Sequence, residues 1–192
     1  MVVLLAALLA CAPGPAPVQS PTPQGPVRRV RLATWNLHDF FDSVDDPYED
    51  EVPSSAEVER KLEALAAVLR QVDADLVAVQ EVENGALLER LARRTGYGQV
   101  VLQEGNDVQR GIDVGLMSRI PLRGFASHAA DRLPRTAGVP ANYRYSRDCL
   151  EVHVAVPGGL VILVNQFKSQ ASGGAASESK RLAQARGVRR LV

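Results

Sequence analysis

The chain has 192 residues, 46% of them hydrophobic, which is enough for one domain with a real core. Its 22 basic and 22 acidic residues balance, which excludes a whole-molecule field that draws in polyanions; attraction for phosphate or nucleic acid has to be local. The two cysteines, Cys11 and Cys149, exclude a disulfide framework and lack the spacing of a zinc site.

The start of the chain is expected to be an address. "MVVLLAALLACAPG" is too short to span a bilayer as a mature helix and reads as the apolar core of an export signal over residues 1–11. "LLAC" resembles the bacterial lipoprotein box, which makes Cys11 the expected lipidated residue, although no Lys or Arg precedes the apolar run. An ordinary cleaved leader with an incidental Cys is the alternative. Residues 12–27, rich in Pro, cannot bury enough apolar surface to fold and are expected to form an extended tether. The expected location is therefore outside the cytoplasm: anchored to a membrane by lipid alone, or free in the periplasm or medium.

Residues 28–192 alternate strands and helices. "VRRVRLATW" reads as a half-buried strand that delivers Asn36 at its end. After an acidic loop, Ser54 and Glu57 form a capping box, and Val58, Leu62, Leu65, Leu69 and Val72 make one apolar helix face. The acidic loop lacks the Gly and terminal Glu of an EF-hand and reads as solvated. Leu76–Val79 is a buried strand that leads into Gln80, Glu81 and Glu83, and a short helix carries Leu87, Leu88 and Leu91. "GIDVGLMS" and "LRGFAS" read as two more strands, followed by a long polar loop and a hairpin of "CLEVHVAV" and "LVILV" around "PGG". From Ser177 on, Leu182, Ala185, Val188 and Val192 sketch the apolar face of a last helix. That helix shows no stop signal before Val192, which suggests that the sequence continues. The order implies an α/β or α+β layered domain whose second half is mostly antiparallel.

Three strand ends carry polar groups: Asn36, Glu81, and Asn165 with Gln166. Ligands of layered α/β domains bind where strands end, and one carboxylate among amides suits Mg²⁺, which keeps several waters. His38 and Asp39 are adjacent, so in a regular strand they face opposite ways and cannot act as a pair. His128 and His153 have no sequence cue for a ligand role, and Cys149 reads as a small buried hydrophobe.

"ATWNLHDFFD", "ADLVAVQEVEN", "RGIDVGLMSR", "SRDCLEV" and "VNQFKSQ", in that order, resemble the endonuclease/exonuclease/phosphatase superfamily with its DNase I-like fold, in its secreted bacterial branch. The resemblance runs from about Arg29 to Val192. It implies a four-layered α/β sandwich, of which this chain is expected to supply the N-terminal half as one sheet with flanking helices and a bare apolar face. It also implies hydrolysis of phosphodiesters or phosphomonoesters with Mg²⁺, or another divalent metal such as Mn²⁺ or Ca²⁺.

By resemblance, Glu81 is the metal ligand, Asn36 orients it, and Arg147 contacts the scissile phosphate. Asn165 and Gln166 belong to the same edge. Asp113 either lines the site or caps a local turn; Arg119 and Arg144 read as surface charges. Two departures stand out. Gln166 occupies the place where the branch has His, and Gln can donate a hydrogen bond but carries no proton or charge. The later Gly-Asp-x-Asn and Asp-His motifs do not occur, so the sequence reads as an inactive part of an enzyme. The expected function of the whole is metal-dependent phosphoester hydrolysis, foremost by a nuclease acting on nucleic acid. The alternatives are a lipid phosphodiesterase of the sphingomyelinase kind and a non-catalytic surface lipoprotein that serves as an interaction module.

Overall fold

A computed structural model of the protein describes residues 29–47, 51–106, 109–135, 142–169 and 174–192. The export segment, the tether and Cys11 lie outside these residues. In chain order the elements are β1 (Leu32–Phe40), α1 (Ser55–Val72), β2 (Leu76–Val82), α2 (Gly85–Thr95), β3 (Gln99–Gln103), β4 (Asp113–Ser118), β5 (Leu122–Ser127), β6 (Cys149–Val154), β7 (Leu160–Asn165) and α3 (Gly174–Leu191).

The strands form two sheets, ordered β1-β2-β4-β3 and β5-β6-β7. Among the described residues only β1 and β2 pair in parallel, because α1 carries the chain back between them; the later pairings there are antiparallel. The helices start where local chemistry dictates. Ser54 and Glu57 exchange side-chain and backbone hydrogen bonds at the start of α1, and the Asn84 side chain accepts from Leu87 N at 2.9 Å to cap α2.

Strand alternation sorts the apolar residues into two cores. Val77 and Val79 of β2 face α1 and α2, where Val58, Leu62, Leu69, Leu87, Leu88 and Leu91 meet them. Leu76 and Ala78 face the other way, onto Leu150, Val152 and Val164 of the second sheet. Full burial of each such Leu contributes about 1.5–3 kcal/mol, so both faces of the first sheet are strongly stabilised. A third cluster sets Ala183 and Val188 of α3 against Cys149 and Leu163 on the outer face of the second sheet. The layers therefore run helices, sheet, sheet, helix.

The four-layered architecture stands, but the expectation of one sheet with a bare apolar face does not. The hairpin β6–β7, with β5, forms a second sheet within this chain, and its inner side covers the face that one sheet would leave open. Two other sequence expectations also change. β3 is an additional strand at the edge of the first sheet. In α3 the buried face is Ser177, Ala183, Gln184 and Gly187, whereas Leu182 and Val192 are exposed. Small residues face inward because the helix sits close: a Cβ on Gly187 would lie 2.5 Å from Tyr145 Oη and 2.6 Å from Leu133 Cδ2.

Candidate functional site

The first sheet is irregular at one point. Pairing of β1 with β2 jumps from Asn36↔Gln80 to Phe40↔Val82, and pairing of β2 with β4 jumps from Gln80↔Val114 to Val82↔Asp113. Glu81 is thus pushed out of both ladders as a β-bulge. The bulge resets the alternation, so that Val82 joins Val77 and Val79 in the helix-side core and Glu81 is left free to turn toward the strand ends. Opposite it, Leu37, His38 and Asp39 bridge the gap in β1.

The backbone is strained there. His38, Asp39 and Glu81 have φ of 55°, 54° and 62°, in the left-handed region. Each such non-glycine residue costs about 1–3 kcal/mol, and such strain concentrates at functional sites. This also removes the premise that kept His38 and Asp39 apart in the sequence reading, since neither lies in a regular strand. What unites them is backbone chemistry: the N–H groups of both residues serve the site.

Glu81 collects three donors. Oε1 accepts from Asn36 Nδ2 at 2.8 Å and from Gln166 Nε2 at 2.6 Å, and Oε2 accepts from Asp39 N at 3.1 Å. Asn36 is itself fixed, its Oδ1 accepting from His38 N at 2.8 Å. Burial pushes the Glu81 carboxyl up, but the hydrogen bonds from Asn36, Gln166 and Asp39, with the Arg110 charge, outweigh it and hold its pKa below the usual carboxylate value. The group is therefore an anion at neutral pH. Arg110 also pairs with the Asp39 carboxylate.

Arg147 and Asp148 immediately precede Cys149, whose partner across β6–β7 is Asn165, so register brings Arg147 to the edge where Gln166 meets Glu81. Arg147 is buried, with 4% exposure, and its backbone packs against Gly105. Asn165 donates to Leu163 O at 3.2 Å and lines, with Gln80 and Thr34, a cleft of about 370 Å³ between β1 and β7. Asp113 accepts from Gly105 N at 2.7 Å, which supports its turn-capping role. Glu83 is buried and anchors the Asp42 loop by accepting from Asp42 N at 2.5 Å. Arg119 lies at the opposite end of β4 (Leu76↔Ser118), stacked on the Tyr97 ring at 4.6 Å and paired with Asp73.

Sequence reasoning missed Lys61 and Arg110. Lys61 Nζ donates to His38 O at 2.5 Å and Asp39 O at 2.8 Å. Its only signal was its place beside Val58 and Leu62 on the flank of the apolar stripe, and that pattern equally describes a solvated lysine. Arg110 had no signal beyond standing before "GID".

Among the described residues, no group of three or more His, Cys, Asp or Glu side chains is arranged to hold a metal. The donor set does fit a hard cation that takes one carboxylate and keeps its waters: an ionised Glu81, and beside it the Gln166 side chain, whose Oε1 is buried without a hydrogen-bond partner among the described residues.

Solved structures share parts of this chain. An endonuclease/exonuclease/phosphatase from Beutenbergia cavernae DSM 12333 is 26% identical, with 80% of this chain and 42% of that one covered and a TM-score of 0.49. TDP2 from Caenorhabditis elegans is 12% identical over 69% of this chain and 36% of that one, with a TM-score of 0.47. A β-hairpin deletion mutant of beta toxin from Staphylococcus aureus is 12% identical over 82% and 57%, with a TM-score of 0.49. The chain thus spans less than two thirds of the length of each. No curated protein matches the sequence. Residues 31–192 match the Endonuclease/Exonuclease/phosphatase family, and the chain belongs to that family of metal-dependent phosphoesterases.

Proposed function

We propose that the protein carrying this sequence is an exported, divalent-metal-dependent phosphodiesterase, a nuclease, and that Glu81 is the carboxylate that holds the metal. The observation that carries this reading is the Glu81 cluster. A strained, bulged carboxylate is kept ionised by donors from two separate segments: Asn36 and the Asp39 N–H in the irregular part of β1, and Gln166, the residue after β7. Strained residues cluster at functional sites, and here three of them meet around one ionised carboxylate.

A bound Mg²⁺ or Mn²⁺ would supply Lewis-acid polarisation of a phosphoryl oxygen. The chain's own residues do the remainder. Glu81 supplies the anionic ligand, while Asn36 and the Asp39 N–H fix its orientation. Gln166 ties that carboxylate to the second sheet and can donate to a phosphate oxygen, but it moves no proton. Arg147 is the residue assigned to the substrate phosphate, where a guanidinium can meet two oxygens at once. The balanced net charge leaves substrate attraction to such local groups.

The test is Glu81→Gln in the whole protein, assayed with Mg²⁺ on plasmid DNA, RNA and sphingomyelin vesicles. The expected result is DNA or RNA hydrolysis by the wild type and none by the variant, with the variant still unfolding cooperatively. Unchanged hydrolysis at limiting Mg²⁺ contradicts the site, and hydrolysis of sphingomyelin alone replaces the nuclease with a lipid phosphodiesterase. Anchoring at Cys11 is a separate part of the proposal: Cys11→Ala should move the exported protein from the membrane fraction to the soluble one.

A further inference from the structure

We propose that Lys61 is a positioning residue for the Glu81 carboxylate: its ammonium holds the carbonyls of His38 and Asp39 and so fixes the turn that aims the Asp39 N–H at Glu81. This rests on the reading of Glu81 as a metal ligand.

The β1–β2 ladder has a gap opposite the bulge. Residues 37–39 have no register partner in β2, so their backbone groups need partners elsewhere. His38 and Asp39 both adopt left-handed φ, and Lys61 bonds the carbonyls of both, at 2.5 and 2.8 Å. An ammonium presents three donors on one small charged centre, so two of them can bridge adjacent carbonyls, and its charge makes both bonds stronger than those of a neutral amide. The stem reaches this point because Lys61 is flanked on α1 by Val58 and Leu62, both in the core, and its charge also lies 5.8 Å from the centre of the Phe40 ring.

Asp39 is consequently fastened at three places. Lys61 holds its carbonyl, Arg110 its carboxylate, and its N–H is spent on Glu81 Oε2. Without Lys61, two carbonyls lose their cation, and the turn can relax out of the left-handed region. The donor to Oε2 then swings away, while Asn36 and Gln166 still hold Oε1. Glu81 remains in place but is free to rotate about that one fixed oxygen. Partners that orient a metal ligand in this way typically account for 10- to 100-fold in metal affinity.

The experiment compares wild type, Lys61→Met, Lys61→Arg and Glu81→Gln in the whole protein. Two readouts are taken: hydrogen exchange of the Asp39 amide in metal-free protein, and Mn²⁺ affinity by electron paramagnetic resonance. Lys61→Met is expected to speed Asp39 exchange and to weaken Mn²⁺ by about 10- to 100-fold, and Lys61→Arg to restore both in part. If Lys61→Met fails to fold, Lys61→Gln, whose neutral amide is one atom shorter and carries no charge, should show intermediate losses in both readouts. Unchanged exchange and Mn²⁺ affinity in the Lys61 variants, with Mn²⁺ binding lost in Glu81→Gln, overturns the role of Lys61 alone. Mn²⁺ affinity unchanged in Glu81→Gln as well overturns the reading of Glu81 on which it rests.

Discussion

Gln166 and Glu81, 85 positions apart, meet across the two sheets: Gln166 Nε2 donates to Glu81 Oε1 at 2.6 Å. This one bond joins the end of β7 to the bulge of β2, so the candidate site is also a fastening between layers. Hydrogen bonds to charged groups contribute about 1.5–3 kcal/mol, and solvent at this half-buried position lowers the figure. Gln166→Ala should therefore cost about 1 kcal/mol in urea unfolding. It should also raise the pKa of Glu81, because a donor to the ionised form is lost. A depressed carboxylate contributes stability above its unfolded pKa and loses it as pH falls through the folded one. The part of the acid arm due to Glu81 should therefore be shallower in the variant and complete at higher pH. Identical acid arms for wild type and variant would show that the bond does not persist in solution.

Arg147 is set apart from the other arginines of its region by burial. Arg132 and Arg135 are exposed, whereas Arg147 is enclosed at the start of β6. In the whole protein, Arg147→Ala should lower kcat by about 100- to 1000-fold, the range for removing one group that stabilises developing charge. Arg132→Ala and Arg135→Ala should change KM and the salt dependence of binding instead. Steady-state kinetics at two ionic strengths check this, and equal behaviour of all three variants would remove the special role of Arg147.

His128 gives a pH signature remote from the Glu81 cluster. Its Nδ1 lies 2.8 Å from Asp131 Oδ2 and its Nε2 2.9 Å from Glu151 Oε2, while Glu151 Oε1 lies 2.6 Å from His153 Nε2. Both ring nitrogens of His128 face carboxylates, so the imidazolium form satisfies both. Burial pulls its pKa down, but Glu151 and Asp131 outweigh this and raise it above 6.5. The Glu151 pKa is lowered, chiefly by the His128 hydrogen bond. The raised His contributes stability that is complete below its unfolded value and disappears as pH rises through the folded one. The depressed Glu contributes above its own unfolded value and loses this as pH falls. Urea midpoints should therefore decline as pH rises above about 6.5, the unfolded value, and His128→Gln should flatten that decline. An unchanged slope in the variant would contradict the assignment.

Much of this was legible in the sequence, for identifiable reasons. The capping box at Ser54 and Glu57, the apolar stripe of α1 from Val58 to Leu69 (Val72, expected on it, is exposed) and the hairpin β6–β7 are local patterns, and local chemistry decides them. Asn36, Glu81 and Gln166 were legible as strand ends, and the fold brings those three together. β3 was missed because "GQVVLQEG" offers a short apolar run between glycines with little alternation. The face of α3 was misjudged because close approach favours Ala183 and Gly187 over Leu182, and proximity to Tyr145 is not written in helical periodicity. The left-handed residues His38, Asp39 and Glu81 have no sequence signature. Tertiary bonds from Lys61 and among the site residues hold them there, so the bulge that frees Glu81 becomes visible only in three dimensions.

The central claim is that Glu81 holds a divalent cation. The most direct measurement is anomalous X-ray diffraction from crystals of the whole protein soaked in Mn²⁺, with Glu81→Gln crystals treated alike. The account expects a manganese peak within about 2.0–2.6 Å of a Glu81 carboxylate oxygen, with Asn36 still bonded to that carboxylate, and no peak in the variant. A manganese peak elsewhere with Glu81 unliganded, or the same peak retained in Glu81→Gln, would contradict it.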